Sequence, residues 1–207
     1  MIAKLHYITD TLSGKSHAEL AEQACKGGAG WVQLRVKNQP EEIVEKWALE
    51  AKEVCQHYKA RLIINDHVAI AKKIGADGVH LGKTDEHPEK ARLFLGDEMI
   101  IGGTANTLED IQKLAKYKVN YIGLGPFRFT ETKDNLSPIL GLEGFKEIIN
   151  QCKSLGIDIP IIAIGGIKPE DLESLLETGI HGVAVSSVIN LSDNPVATTH
   201  ELTKKLI

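Results

Sequence analysis

Three kinds of chemically capable side chain recur along this 207-residue chain, and their spacing groups them. The first is cationic: Arg35 and Lys37 follow Gln33 in "QLRVK", and Lys133 follows Thr130 and Thr132 in "FTETK". The second is acidic: Asp66 follows Asn65 in "IINDH", and Asp85 closes "HLGKTD", which also holds His80 and Lys83. The third is small and polar: Thr104, the pair Gly165-Gly166, and Ser186-Ser187. Cations beside neutral hydrogen-bond donors suit a phosphate or diphosphate. Two carboxylates suit Mg²⁺, which takes one or two of them and completes its octahedron with water and substrate phosphate oxygens. Glycine lets backbone N–H groups come close to phosphate oxygens.

Every one of these residues has a plainer use. Asp66 could cap a helix beginning at His67, and Asp85 could cap or turn the chain before Pro88. His80 has no assigned role beyond lining a site. Gly165-Gly166 could simply end a strand, and Ser186 and Ser187 could be small core residues. The elements that carry them decide whether they meet.

In "WVQLRVK", Val32, Leu34 and Val36 alternate with Gln33, Arg35 and Lys37. A period of two marks a strand, because successive strand side chains point to opposite faces. Such patterning predicts strands over 5–9, 31–36, 61–65, 78–81, 99–103, 121–125, 159–166 and 182–189. Helices are predicted near 16–28, 40–58, 67–74, 88–95, 107–117, 142–155, 168–178 and 194–206. Strict alternation implies parallel strands joined by right-handed crossovers, and eight such units close most naturally into a (β/α)8 TIM barrel. One barrel domain over 1–207 is expected. The structural runner-up is an open doubly wound sheet, against which the first strand lacks a G-x-G-x-x-G turn.

In a barrel the apolar residues face the helices, so Val32, Leu34 and Val36 point out and Gln33, Arg35 and Lys37 point in. A guanidinium in a packed interior costs several kcal/mol unless paired. Arg35 and Lys37, at the carboxyl end where active sites of this fold form, are therefore expected to face an anionic ligand. The other polar groups fall on the same rim. The glycines and serines after strands seven and eight lie where this fold commonly builds a phosphate cradle.

Composition narrows the classes further. A net charge of −4, a pI near 6.1 and mixed signs along stretches such as "PEEIVEKWALEAKEV" do not describe a nucleic-acid binder. The sequence lacks a run of ~20 apolar residues and a signal-peptide pattern, so a cytoplasmic protein away from membranes is expected. Cys25, Cys55 and Cys152 are odd in number and far apart, which predicts buried free thiols.

Together "QLRVK", "LIINDHVAIAKKIGADGVHLGKTD", "GPFRFTETK", "IPIIAIGGI" and "GVAVSSVI" resemble the motifs of the thiamine phosphate synthase family over essentially the whole chain. The resemblance implies a (β/α)8 enzyme, commonly homodimeric. It would join hydroxymethylpyrimidine diphosphate to thiazole phosphate with Mg²⁺ assistance, releasing pyrophosphate. By the same resemblance Gln33 would bond the aminopyrimidine, while Arg35, Lys37, Asn65 and Lys133 would grip the diphosphate. Asp66 and Asp85 would hold Mg²⁺. Thr104, at a family serine, would offer a hydroxyl, and Thr130, Thr132, Gly166, Ser186 and Ser187 would meet the thiazole phosphate. Two departures stand out: Lys83 replaces a usual Gln, adding a cation near the metal rim, and Asn106 stands where a His often follows the serine. Two rival readings remain at this point. A tautomerase-like paralogue typically lacks the counterparts of Asp85 and Lys133, and a non-catalytic sensor of phosphorylated ligands would lack charged groups at the rim.

Overall fold

The structure is a computed structural model that describes residues 1–11, 13–129 and 138–206. In chain order the strands and helices are β1 (Leu5–Ile8), α1 (His17–Lys26), β2 (Trp31–Leu34), α2 (Glu41–Tyr58), β3 (Arg61–Asn65), α3 (Val68–Ile74), β4 (Gly78–Leu81), α4 (Pro88–Leu95) and β5 (Ile100–Ala105). Then come α5 (Leu108–Lys116), β6 (Tyr121–Leu124), α6 (Gly141–Ser154), β7 (Ile161–Ile164), α7 (Leu172–Glu177), β8 (Gly182–Val185), α8 (Ser187–Asn190) and α9 (Pro195–Leu206). A single 3₁₀ turn, Pro169–Asp171, leads into α7.

Local chemistry explains several boundaries. The Ser16 hydroxyl accepts the Glu19 N–H and the Glu19 carboxylate takes the Ser16 N–H, a reciprocal cap that starts α1. Thr107 and Asp110 repeat the device at α5. At its other end α3 stops at Gly75, whose φ of 63° needs a residue without a Cβ.

All eight strands are parallel and close in sequence order, with β8 pairing back onto β1 through Leu5–Val183 and His6–Ala184. The closure separates two apolar regions. Ile8, Trp31, Ile63, Ile100, Tyr121 and Ile162 fill the barrel interior, and Val32, Leu34 and Val36 belong to the larger core between strands and helices. The parity read from "WVQLRVK" therefore holds, with Gln33 turned inward and buried.

Some boundaries differ from the periodicity. β2 ends at Leu34, leaving Arg35 and Lys37 in the loop beyond it, because the chain must leave the sheet to enter α2. "GVAVSSVI" is a strand only to Val185, after which Ser187–Asn190 form a short helix. An unbroken small and apolar run cannot announce that turn, since a buried strand and a buried helix segment look alike over a few residues. The three cysteines are buried and free. Among the described residues no helix is long and apolar enough to cross a membrane.

Candidate active site

At the carboxyl end of the barrel, the segments after β3 and β4 place Asp66 and Asp85 close enough for their carboxyls to interact. Neither residue caps a helix. His67 occupies the N-cap position of α3 without a side-chain bond, and the His87 imidazole serves α4. Asp66 instead adopts a left-handed backbone, φ 66°, with its N–H on the His80 carbonyl, and this turns its carboxylate toward the rim. Asp85 accepts the Gly82 N–H at 2.7 Å, and a Cβ at Gly82 would stand 2.7 Å from the same carboxylate oxygen. Gly82 is thus the residue that lets Asp85 fold back.

The charges of the two carboxyls divide as such proximity demands. Burial works against ionising Asp66, but hydrogen bonds from Asp85 and from the Lys37 ammonium outweigh it and hold its carboxyl below the usual range. Burial pushes the Asp85 carboxyl up, and the hydrogen bond and charge of Asp66 push it further. Two neighbouring, partly exposed carboxyls whose mutual repulsion is relieved by positive charge fit a hard dication. Among the described residues no third His, Cys, Asp or Glu joins them.

Beside this pair, Arg35 is half-buried and lines the central cavity with Thr104, Gly166, Ser186 and Ser187. Its guanidinium has no protein partner among the described residues, and its backbone N–H is held by the Thr9 hydroxyl at 3.2 Å. Gln33 donates from Nε2 to Asn65 Oδ1 at 2.8 Å. On the floor, His80 Nε2 lies 3.0 Å from Thr104 Oγ1.

The far wall is a backbone cradle. Gly165 and Gly166 both have positive φ, 104° and 64°, and a Cβ at Gly166 would come within 2.7 Å of the Phe129 carbonyl. Among the described residues the N–H groups of Gly166 and Ser187 have no protein acceptor. The Ser186 hydroxyl donates to Asp10 at 2.7 Å and accepts from Asn190 at 3.1 Å, so that side chain is spent inside the protein.

Of the residues singled out in the sequence, Arg35, Thr104, Gly166, Ser186 and Ser187 line one cavity, while Gln33 pairs with Asn65, and Lys37 and Asp85 interact with Asp66 at the carboxyl ends of the neighbouring strands. Thr130, Thr132 and Lys133 lie outside the described residues. Lys83 does not add a cation to the carboxylate pair, because its ammonium sits 2.6 Å from Asp110 in the first turn of α5. Asn106 donates from Nδ2 to the Gly125 carbonyl, bracing the end of β5 against the chain beyond β6.

Sequence reasoning missed the residues that support the cradle. Arg128 makes paired hydrogen bonds, both 2.8 Å, to Asp171, and also donates to the Gly166 carbonyl at 2.7 Å. Asp171 in turn accepts the Lys168 N–H. A cation inside the motif "GPFRFTETK" was a usable signal for Arg128. Asp10 and Asn190 had none, because their contacts span the seam between first and last strands.

The chain matches the family described as thiamine monophosphate synthase over residues 5–189. The chain belongs to this family. It is 46% identical over 201 residues to a thiamine-phosphate synthase of Bacteroides thetaiotaomicron, covering 97% of this chain and 96% of that one. It is 49% identical over 206 residues to a thiamine-phosphate synthase of Flavobacterium johnsoniae, covering 100% and 97%. Among solved structures, thiamine phosphate pyrophosphorylase from Pyrococcus furiosus superposes with a TM-score of 0.87 at 31% identity, covering 98% of this chain and 95% of that one. A 3-hexulose-6-phosphate synthase at 16% identity and a TM-score of 0.74 shares the fold alone.

Proposed function

We propose that the protein is a transferase that condenses hydroxymethylpyrimidine diphosphate with thiazole phosphate to give thiamine phosphate and pyrophosphate. The observation that carries the reading is the placement, at the carboxyl end of the barrel, of the interacting pair Asp66 and Asp85, of Arg35, whose guanidinium has no partner among the described residues, and of the Gly166–Ser187 cradle. One group matches a metal-bound diphosphate and the other a monophosphate.

In this reading the bond between the pyrimidine methylene and its diphosphate oxygen breaks, and the electron pair leaves with the pyrophosphate. The 4-amino group donates electron density to the resulting cation, and the lone pair of the thiazole nitrogen closes the new C–N bond. That nitrogen bears no proton, so bond formation needs no general base. Arg35, Lys37 and Lys133 neutralise the charge that builds on the departing diphosphate, the kind of fixed electrostatic stabilisation that supplies most catalytic power in such sites. Mg²⁺, held by Asp66 and Asp85, would supply Lewis-acid neutralisation of the same leaving group. Gln33 and Asn65, held together, orient the aminopyrimidine and the diphosphate. Gly166 and Ser187 amides, with Thr130 and Thr132, fix the thiazole phosphate so that the two rings lie in line. The Ser186 hydroxyl, already used by Asp10, leaves only its backbone for this task.

The test is incubation of purified protein with both substrates and Mg²⁺, with thiamine phosphate and pyrophosphate measured together. Equal amounts of the two products support the reading. Isomerisation of the thiazole without joining supports a tautomerase, and ligand binding without turnover supports a sensor.

A further inference from the structure

We propose that Tyr121 and His80 are positioning residues that fix the Thr104 hydroxyl as a hydrogen-bond donor into the active-site cavity. His80 bridges the two others, with Nδ1 3.0 Å from the Tyr121 hydroxyl and Nε2 3.0 Å from Thr104 Oγ1. A neutral imidazole has one N–H and one bare nitrogen, so a partner that must donate to one nitrogen leaves the proton on the other.

Tyr121 makes that choice. It is about 1% exposed, and among the described residues His80 is the only hydrogen-bond partner of its hydroxyl. If the imidazole proton sat on Nδ1, the tyrosine oxygen would accept it and the phenolic O–H would have no acceptor in a closed interior. An unmade buried hydrogen bond of that kind is costly. The phenol therefore donates to Nδ1, and the proton of His80 resides on Nε2, which donates to Thr104 Oγ1. With one lone pair taken from below, Thr104 directs its own proton away from His80. The cavity that Thr104 and His80 line with Arg35 is where that proton points. Burial raises the Tyr121 pKa far above its ordinary value, so the phenol remains a donor across the working range.

The surrounding strands make room for this chain of three. In the register His80 pairs with Gly102, Gly102 with Tyr121, and Thr104 with Gly123. A Cβ at Gly102 would stand 2.2 Å from Tyr121 Cζ, and one at Gly123 would stand 3.2 Å from His80 Cε1. Two glycines on neighbouring strands thus keep the ring of Tyr121 against β5 and the imidazole over β6. A hydroxyl locked as donor suits an anion that only accepts. The inference rests on the diphosphate reading for its ligand, and on hydrogen-bond geometry alone for its tautomer.

The test has two arms. In full-length protein labelled with ¹⁵N-histidine and free of substrate, the His80 resonances are assigned by comparison with His80→Gln. An Nε2–H tautomer is the expected result, and an Nδ1–H tautomer overturns the proposal. In the second arm pyrophosphate binding with Mg²⁺ is titrated calorimetrically. Tyr121→Phe is expected to weaken it about tenfold, the scale of one hydrogen bond, and Thr104→Val at least as much. The double variant should bind no more weakly than Thr104→Val alone, and additive losses overturn the relay. If Tyr121→Phe fails to fold, the tautomer of the parent protein decides. Failure of product formation beside the expected tautomer sinks only the proposed function, and the reverse pattern sinks only the relay.

Discussion

Asp66 is a residue whose backbone and side chain answer to different neighbours. Its φ of 66° is a conformation that Asp tolerates better than most L-residues, and the His80 carbonyl and the Val68 N–H hold it there. The gain is direction, since a carboxylate that capped α3 could not interact with Asp85. Asp85→Ala is expected to raise the Mg²⁺ concentration needed for half-maximal activity steeply while leaving the fold intact, because Asp85 is half-exposed. Activity measured against Mg²⁺ concentration checks this, and an unchanged curve removes Asp85 as a ligand. Arg35 is the second decisive residue. Loss of its cavity-lining guanidinium in Arg35→Gln should reduce kcat/KM by about a hundredfold, the lower end of the effect of one preorganised donor. Lys133→Ala should lower kcat far more than it lowers stability, because its charge is needed most as the leaving oxygen becomes an anion. Saturating-substrate kinetics beside a thermal melt separate the two effects, and full turnover in the variant takes Lys133 out of the mechanism.

At the scale of elements, the cradle depends on a tie between the segment after β6 and the segment after β7. Arg128 reaches across to Asp171 and to the Gly166 carbonyl, so its side chain reinforces two loops already joined by the Phe127 and Arg128 N–H groups on the Ile164 and Gly165 carbonyls. The Arg128 guanidinium holds the Asp171 carboxyl below the usual range against the opposing effect of burial, helped by the Lys168 N–H. A depressed folded pKa means stability that is present above the unfolded carboxyl value, near ~3.9, and lost as pH falls through the lower folded value. Asp171→Asn should therefore cost about 1 kcal/mol at neutral pH, a figure kept low because the guanidinium is partly in water. Urea melts of parent and variant should differ at pH 7 and converge as the pH drops below 4. A gap that persists in acid would show that packing rather than the ion pair holds the tie.

The whole molecule is organised by closure. β8 and β1 meet at a seam where Gly182 lies against Lys4, and a Cβ there would come within 2.1 Å of the Lys4 carbonyl oxygen. Backbone cannot swing aside as a side chain can, so Gly182→Ala should destabilise the barrel by about 2–3 kcal/mol. Equilibrium unfolding in urea checks the loss. Because the seam also brings Asp10 to Ser186 and Tyr7 to Asn190, the same variant should weaken phosphate binding at the cradle. Stability unchanged from the parent would mean that the seam relaxes.

The sequence by itself determined the order of the elements, the inward face of β2 and the set of polar residues on one rim. Each follows from a local pattern: alternation, caps, and glycines or charges at strand ends. It also carried enough motif to place the chain in its family. It did not determine which of those residues touch. That Asp66 meets Asp85 rather than capping a helix, that Lys83 turns to Asp110, and that Asp10 consumes the Ser186 hydroxyl were decided by tertiary structure. Side-chain pairing depends on the curvature and closure of a sheet whose partners lie far apart in the chain, and periodicity records which face a residue takes but not whom it meets across the barrel.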